Sequence, residues 1–172
     1  VEQTVTFDAS ASTPDGGSIM SYIWNFDDGY TKTVSNPITT HKYAEYGEYN
    51  VTLTVVDSEQ KNATTWKTIK VYGYPRSPTA IFVWSPPYPR VNNLTIFNAS
   101  DSEPGFDGWN ICPIANYTWD FGDENITTTN NPIIAHNYTA VGTYTVKLTV
   151  TAPRAIPENN SMWQEVAVYP VG

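Results

Sequence analysis

Only one cysteine, two histidines and nine lysines and arginines occur in this chain of 172 residues. The lone thiol, Cys112, excludes an internal disulfide, so packed apolar cores must hold the fold. The few basic residues face seventeen Asp and Glu, for a formal charge of −8. Such a surface repels phosphate backbones and anionic headgroups, which makes nucleic acid and membrane poor partners. Apolar runs last a few residues, far short of the roughly 20 a membrane helix needs, and no charged-then-apolar leader precedes Val1. The chain is expected to be a mature fragment, or one whose leader lies outside this sequence. An HExxH pair, a GxSxG elbow, a phosphate-cradling glycine loop and a basic stripe are also missing. What remains plentiful is apolar and aromatic material, 40% and 14% of residues, enough to bury one large or two small cores.

The chain repeats itself. VTFDAS (5–10) returns as TIFNAS (95–100), and YIWNFDD (22–28) as YTWDFGD (117–123). NPITTHKYAEYGEYNVTLTV (36–55) returns as NPIIAHNYTAVGTYTVKLTV (131–150), and TWKTIKVY (65–72) as MWQEVAVY (162–169). The offset grows from 90 to 95 to 97 residues, as it must if loops lengthen while strands keep their length. The second copy is longer around GFDGWNICP and near PRAIPEN. Copy one is expected over 1–73 and copy two over 78–172, joined by a stiff Gly/Pro linker at 74–77.

Periodicity within a copy is that of strands. Tyr49, Val51, Leu53 and Val55 alternate with Asn50, Thr52 and Thr54, and Tyr144, Val146, Leu148 and Val150 repeat the pattern. The same parity holds for Val5, Phe7 and Ala9, for Tyr22, Trp24 and Phe26, and for Ile69 and Val71. No segment carries a capped stripe of period 3.6. Short alternating strands punctuated by Gly, Pro, Asn and Asp predict an all-β fold, two tandem sandwiches of packed sheets.

The order FDAS, then WNFDDG or WDFGDE, then NP…H.Y…G.Y.V.LTV, resembles the PKD (polycystic kidney disease) domain, an immunoglobulin-like sandwich. Both copies carry it. The usual family string is WDFGDG; copy one has Asp27 in place of the first glycine, and copy two has Glu124 in place of the last. The resemblance implies a non-catalytic extracellular module, often in tandem, found in surface-layer proteins, adhesins and the accessory parts of secreted hydrolases.

The acidic string after each aromatic strand falls where the chain must reverse, and Asp, Asn and Gly are turn formers. A turn is therefore the first reading. A calcium reading draws on Asp15, Asp27, Asp28, Asp101, Asp120 and Asp123, whose oxygens would have to converge at about 2.3–2.6 Å. No twelve-residue calcium loop is present, and no other cofactor is implied. A glycosidase reading needs two carboxyls about 5–9.5 Å apart across a cleft, which a sandwich-edge turn does not readily provide. His41 and His136 stand in equivalent places, one per copy, without a second ligand at metal spacing, and read as hydrogen-bonded structural residues. Cys112 reads as a bland thiol.

Asn-x-Ser/Thr occurs at Asn50, Asn62, Asn93, Asn98, Asn116, Asn125, Asn137 and Asn159, whereas composition alone gives roughly three by chance. Asn50, Asn98 and Asn116 have outward parity, Asn125 follows a turn, and Asn62 and Asn159 sit at equivalent hairpins. Covalent N-glycans on an exterior protein are the expectation. Trp66 and Trp163 point away from the core by parity, and Trp84, Tyr88 and Trp109 lie in Pro- or Gly-rich segments. These five are candidate contact aromatics for sugars or proteins. Copy two opens with an extra extended segment, TAIFVWSPP (79–87), while copy one begins at its second strand. Truncation is one reading; edge addition of a strand from a neighbour, which would build a fibre, is the other.

The expected function is a non-catalytic structural or adhesive repeat of a glycosylated cell-surface protein or filament, extracellular, with an archaeal surface as one setting. Its partners would be other copies or extracellular glycans and proteins. The alternatives are an accessory substrate-binding module of a secreted protease or polysaccharide-degrading enzyme, and a calcium-rigidified adhesion module.

Overall fold

A computed structural model describes residues 1–171, and every element among them is a β-strand. The chain divides into two compact units, Val1–Gly73 and Tyr74–Gly172. In the first, β1 (Thr4–Asp8) pairs antiparallel with β4 (Ile38–Lys42) as one sheet. The second sheet runs in the order β3 (Thr31–Val34), β2 (Ile19–Asn25), β5 (Gly47–Asp57), β6 (Asn62–Val71). Between the sheets lie Ala9, Tyr22, Trp24, Phe26, Tyr43, Val51, Leu53 and Val71, all buried. Period two places them there: Trp24 is opposite Leu53 across the ladder, while their neighbours Ile23 and Thr54 share the outer face.

The turn from β5 to β6 follows from its sequence. Asp57 is 6% exposed, and its Oδ1 accepts from the backbone N–H groups of Glu59 and Lys61 at 2.9 Å each. A short carboxylate thus satisfies the turn's orphan donors, and the hairpin closes with Gln60 at positive φ.

In the second unit β7 (Val83–Ser85) and β8 (Leu94–Asn98) precede a small hairpin of β9 (Gly105–Phe106) and β10 (Ile111–Cys112). Then come β11 (Asn116–Asp120), β12 (Ile126–Thr129), β13 (Ile133–Asn137), β14 (Gly142–Thr151) and β15 (Asn159–Val168). One sheet has the order β13-β8-β7 and the other β12-β11-β14-β15. Its core holds Ala80, Phe82, Phe97, Trp119, Phe121, Tyr138, Val146, Leu148, Val150 and Val166. The segment 74–77, expected as a linker, lies in this unit: the Arg76 backbone N–H donates to Phe106 O at 2.9 Å and the Phe106 N–H returns the bond.

The two lengthenings of the second copy pack on each other. Cys112, from the first, forms a small buried cluster with Ala152 and Ala155, from the second. Gly105 permits the approach, since a Cβ there would collide with that of Ala155. The thiol of Cys112 is sealed in apolar contact, with its Sγ 3.6 Å from Asn110 O.

Candidate functional site

The acidic strings are turns, and the carboxylates of Asp27, Asp28, Asp120 and Asp123 each have a backbone or side-chain partner. In the first unit Asn25 Oδ1 accepts from Asp27 N–H at 3.0 Å and Asp28 Oδ1 from Tyr30 N–H at 3.1 Å. In the second, Asp120 accepts from Gly122 at 3.0 Å and Asp123 from Asn125 at 3.2 Å. All four positions where the family string has glycine keep positive φ: Asp27 (65°), Gly29 (87°), Gly122 (78°) and Glu124 (73°). The two departures from that string therefore leave the turn unchanged. Asp27 adds a compensation of its own, because its Oδ2 accepts from Asn50 N–H at 2.8 Å. At the matching place in the second unit a Cβ on Gly122 would lie 2.8 Å from Thr145 O.

Beyond the turn, each unit builds the same acid–histidine pair. His41 Nε2–H donates to Asp28 Oδ2 at 2.6 Å, and His136 Nε2–H to Asp123 Oδ2 at 2.8 Å. Each imidazole stacks on a core phenylalanine, Phe26 or Phe121, with centroids 4.0 Å apart, and meets Tyr43 or Tyr138 edge-on. Those tyrosines donate to Phe26 O and Phe121 O at 3.2 Å, and burial pushes both phenols well above their ordinary pKa. Burial alone would raise Asp123, but hydrogen bonds from His136 and Asn125 outweigh it and hold the carboxyl below the usual range. A tyrosine corner completes each unit: Tyr49 Oη–H donates to Glu45 O and Tyr144 Oη–H to Ala140 O, at 2.9 Å each. A shallow depression of about 600 Å³ lies beside His41, lined by Thr4, Asp28, Tyr30 and Glu45 among others. The Nε2 of each histidine is spent on a carboxylate, and its ring is clamped between aromatics. The pair fastens the turn to the opposite sheet.

The six carboxylates considered for calcium are dispersed. Asp15 pairs with Lys61 at 3.1 Å on the surface, Asp27, Asp28, Asp120 and Asp123 serve the turns, and Asp101 is exposed. Among the described residues no three His, Cys, Asp or Glu side chains gather in a way that could hold a metal.

The contact aromatics separate into three kinds. Trp66 on β6 and Trp163 on β15, equivalent residues, are 68% and 66% exposed. Tyr88 is 71% exposed and meets the Tyr169 ring at 6.1 Å. Trp109 is half-buried in the loop between β9 and β10, its backbone N–H donating to Asp107 Oδ1 at 2.8 Å. Trp84 departs from the expectation. It is half-buried against the second core with its indole nitrogen enclosed, because β7 is a genuine sandwich strand that points Trp84 inward.

Around the two exposed tryptophans the outer sheet face is rich in hydroxyls. Trp66 lies between Thr64 and Thr68 and opposite Thr52, and Thr54 and Thr64 share a hydrogen bond of 2.8 Å. Thr149 and Ser161 do the same at 2.8 Å beside Trp163. Of the sequon asparagines, Asn50, Asn62, Asn93, Asn116, Asn125, Asn137 and Asn159 are exposed and Asn98 is half-buried. Sequence reasoning treated the aspartates and histidines separately and so missed their pairing. The signal was present, since Asp28 and His41 are separated by 13 residues and so are Asp123 and His136.

A family model described as the PKD domain matches residues 1–71 and 91–165. A microbial collagenase of Vibrio alginolyticus is 42% identical over 71 residues, covering 41% of this chain and 8% of that protein. Collagenase ColA of Bacillus cereus is 43% identical over 63 residues, 37% of this chain and 6% of that one. A solved structure concerning carbohydrate-binding modules from the β-sandwich superfamily aligns with a TM-score of 0.50 at 35% identity, over 57% of this chain and 36% of that one. The chain thus spans less than a tenth of the length of these curated relatives. They are bacterial, and the archaeal setting finds no support among them.

Proposed function

Because the chain belongs to the PKD domain family, twice over, we propose that it is a non-catalytic contact module of an extracellular protein, laying the same aromatic sheet face of each repeat against a polymer. The observation that carries this reading is the exposure of Trp66 and Trp163 at equivalent positions. The flanking residues differ, Thr65 and Lys67 in one unit against Met162 and Gln164 in the other, yet the exposed indole is kept. Burying a large aromatic on binding yields about 2–3 kcal/mol, and tryptophan ranks high among residues that dominate contact energy. Ring and hydroxyls together suit stacking on a sugar ring or on an extended protein chain. The names of the relatives, collagenases and carbohydrate-binding modules, favour a holding role beside a catalytic domain of a longer protein.

The experiment is sedimentation of the protein with insoluble collagen and with insoluble polysaccharides, compared with the variant W66A/W163A. Retention of the protein on one polymer, lost in the variant while both keep the same melting profile, is the expected result. Retention on none of them, or equal retention of the variant, refutes the reading.

A second reading rests on a different observation. Seven of the eight sequon asparagines are exposed, which suits a spacer repeat in a glycosylated surface protein or filament. Glycopeptide mapping of native material that finds all eight bare removes it. For a calcium-stiffened module, no cluster of three or more carboxylates, histidines or cysteines is assembled among the described residues.

A further inference from the structure

The two units share the acid–histidine pair but not what surrounds it. In the first, the depression of about 600 Å³ beside His41 is lined by Asp28, Tyr30, Thr40, Lys42 and Glu45, among others, a size within the range of about 300–1,000 Å³ common to small-molecule sites. In the second unit the counterpart of Tyr30 is Asn125, that of Thr40 is Ala135, that of Lys42 is Asn137 and that of Glu45 is Ala140. That sandwich forms without the ring and without either charge, so the fold does not require them. Tyr30 is 68% exposed, yet its place is fixed. Its backbone N–H donates to Asp28 Oδ1 at 3.1 Å, and its carbonyl accepts from Phe26 N–H at 3.0 Å. The ring leans over His41 with centroids 5.8 Å apart, and His41 is itself stacked on Phe26. Thr40 and Lys42 have outward parity on the outer strand β4, opposite Thr6 and Thr4. The Tyr49 hydroxyl anchors the backbone of Glu45 through its carbonyl at 2.9 Å. Lys42 and Glu45 are exposed and enter none of the ion pairs among the described residues.

We infer that this depression binds one neutral pyranose residue of a polysaccharide or glycan, with the Tyr30 ring as its platform. The apolar C–H face of a sugar covers an exposed aromatic face. Each sugar hydroxyl both donates and accepts, and the site supplies both kinds of partner: the Glu45 carboxylate accepts, the Lys42 ammonium donates, and the Thr4 and Thr40 hydroxyls do either. Charge selects against ions of both signs, because an anion would face Asp28 and Glu45 and a cation would face Lys42. The turn already holds Tyr30 in place, so little freedom is lost on binding. The site shares no residue with the face of Trp66 and Trp163, and it stands whether or not that face holds a polymer. It also sets the first repeat apart from the second, which keeps the acid–histidine pair and lacks the rest.

The test titrates the full chain with cellohexaose, mannohexaose, a high-mannose N-glycan and, as the acidic control, a galacturonate hexamer, and follows backbone amide signals by NMR. The expected result is saturable shifts at Tyr30 and along Thr40–Glu45 with at least one neutral sugar at millimolar concentration. A response to a hexaose alone identifies a polysaccharide as the source, and a response to the N-glycan alone identifies a glycoprotein. The combined variant Tyr30→Asn, Lys42→Asn and Glu45→Ala installs the residues of the second unit, and is expected to weaken binding at least about tenfold at unchanged melting. Where the combined variant melts lower, Tyr30→Asn alone is read in its place. W66A/W163A is expected to leave these shifts intact. No shift at these residues with any neutral sugar, shifts that survive the exchange, their loss in W66A/W163A, or tighter binding of the galacturonate hexamer overturns the inference.

Discussion

Truncating Phe82 to alanine isolates what a first strand contributes to one of these sandwiches. The ring is 2% exposed and wedged between Trp119 and Phe97. Neither neighbour can swing in to fill the space. Trp119 is stacked parallel to Phe121 at 6.2 Å, and Phe121 is clamped in turn by His136 at 4.0 Å. A buried phenylalanine cut to alanine costs about 3–5 kcal/mol when its site cannot collapse. That is a large share of the roughly 5–15 kcal/mol that holds a domain. Calorimetry of the whole chain is the assay. The first unit, whose core is less enclosed, with Trp24 and Leu53 at 6% and 9% exposure against 0% for Trp119 and Leu148, is expected to melt first and the second later. At about 4–8 °C per kcal/mol for a domain of this size, F82A lowers the second transition by on the order of 15 °C and leaves the first unmoved. A loss under about 1 kcal/mol, or an equal fall of both transitions, refutes the view that this ring plugs the sandwich.

Three further outcomes follow from the repeated site. Gly122→Ala combines a φ of 78° with a Cβ placed 2.8 Å from Thr145 O, and is expected to cost about 1–3 kcal/mol in urea unfolding. Tyr138→Phe removes the donor to Phe121 O at 3.2 Å and leaves a buried carbonyl unpaired, for about 1–3 kcal/mol on the same measurement. Asp123 gives a pH signature. Its carboxyl is held below 3.8 in the folded state, so the stability it contributes is complete above the ordinary carboxylate pKa and disappears as pH falls through the lowered value. Asp123→Asn therefore destabilises at neutral pH, and its gap from the unaltered protein closes in acid. A gap that is constant across pH would show that the charge is not involved.

Much of the fold was legible because a sheet with one wet face writes itself in period two. The parity of Tyr22, Trp24 and Phe26, or of Val146, Leu148 and Val150, fixes which side is buried whatever lies opposite, and the internal repeat confirms each strand by a second instance. Turn chemistry was equally local, since Asp28 and Asp123 bond backbone groups two residues away. TAIFVWSPP was legible as an extended segment, but the inward turn of Trp84 was not, because it follows from the register of β7 on β8, which sets Trp84 opposite Phe97.

The sequence by itself determined that there are two sandwiches, which faces are dry, and where the chain turns. Only the tertiary structure decided which wet-face and turn residues meet. The Asp28–His41 bond links two sheets, and the Cys112 cluster joins two separate insertions. Local patterns encode the direction in which a side chain points, whereas these contacts depend on the register between strands distant in sequence, which periodicity leaves free.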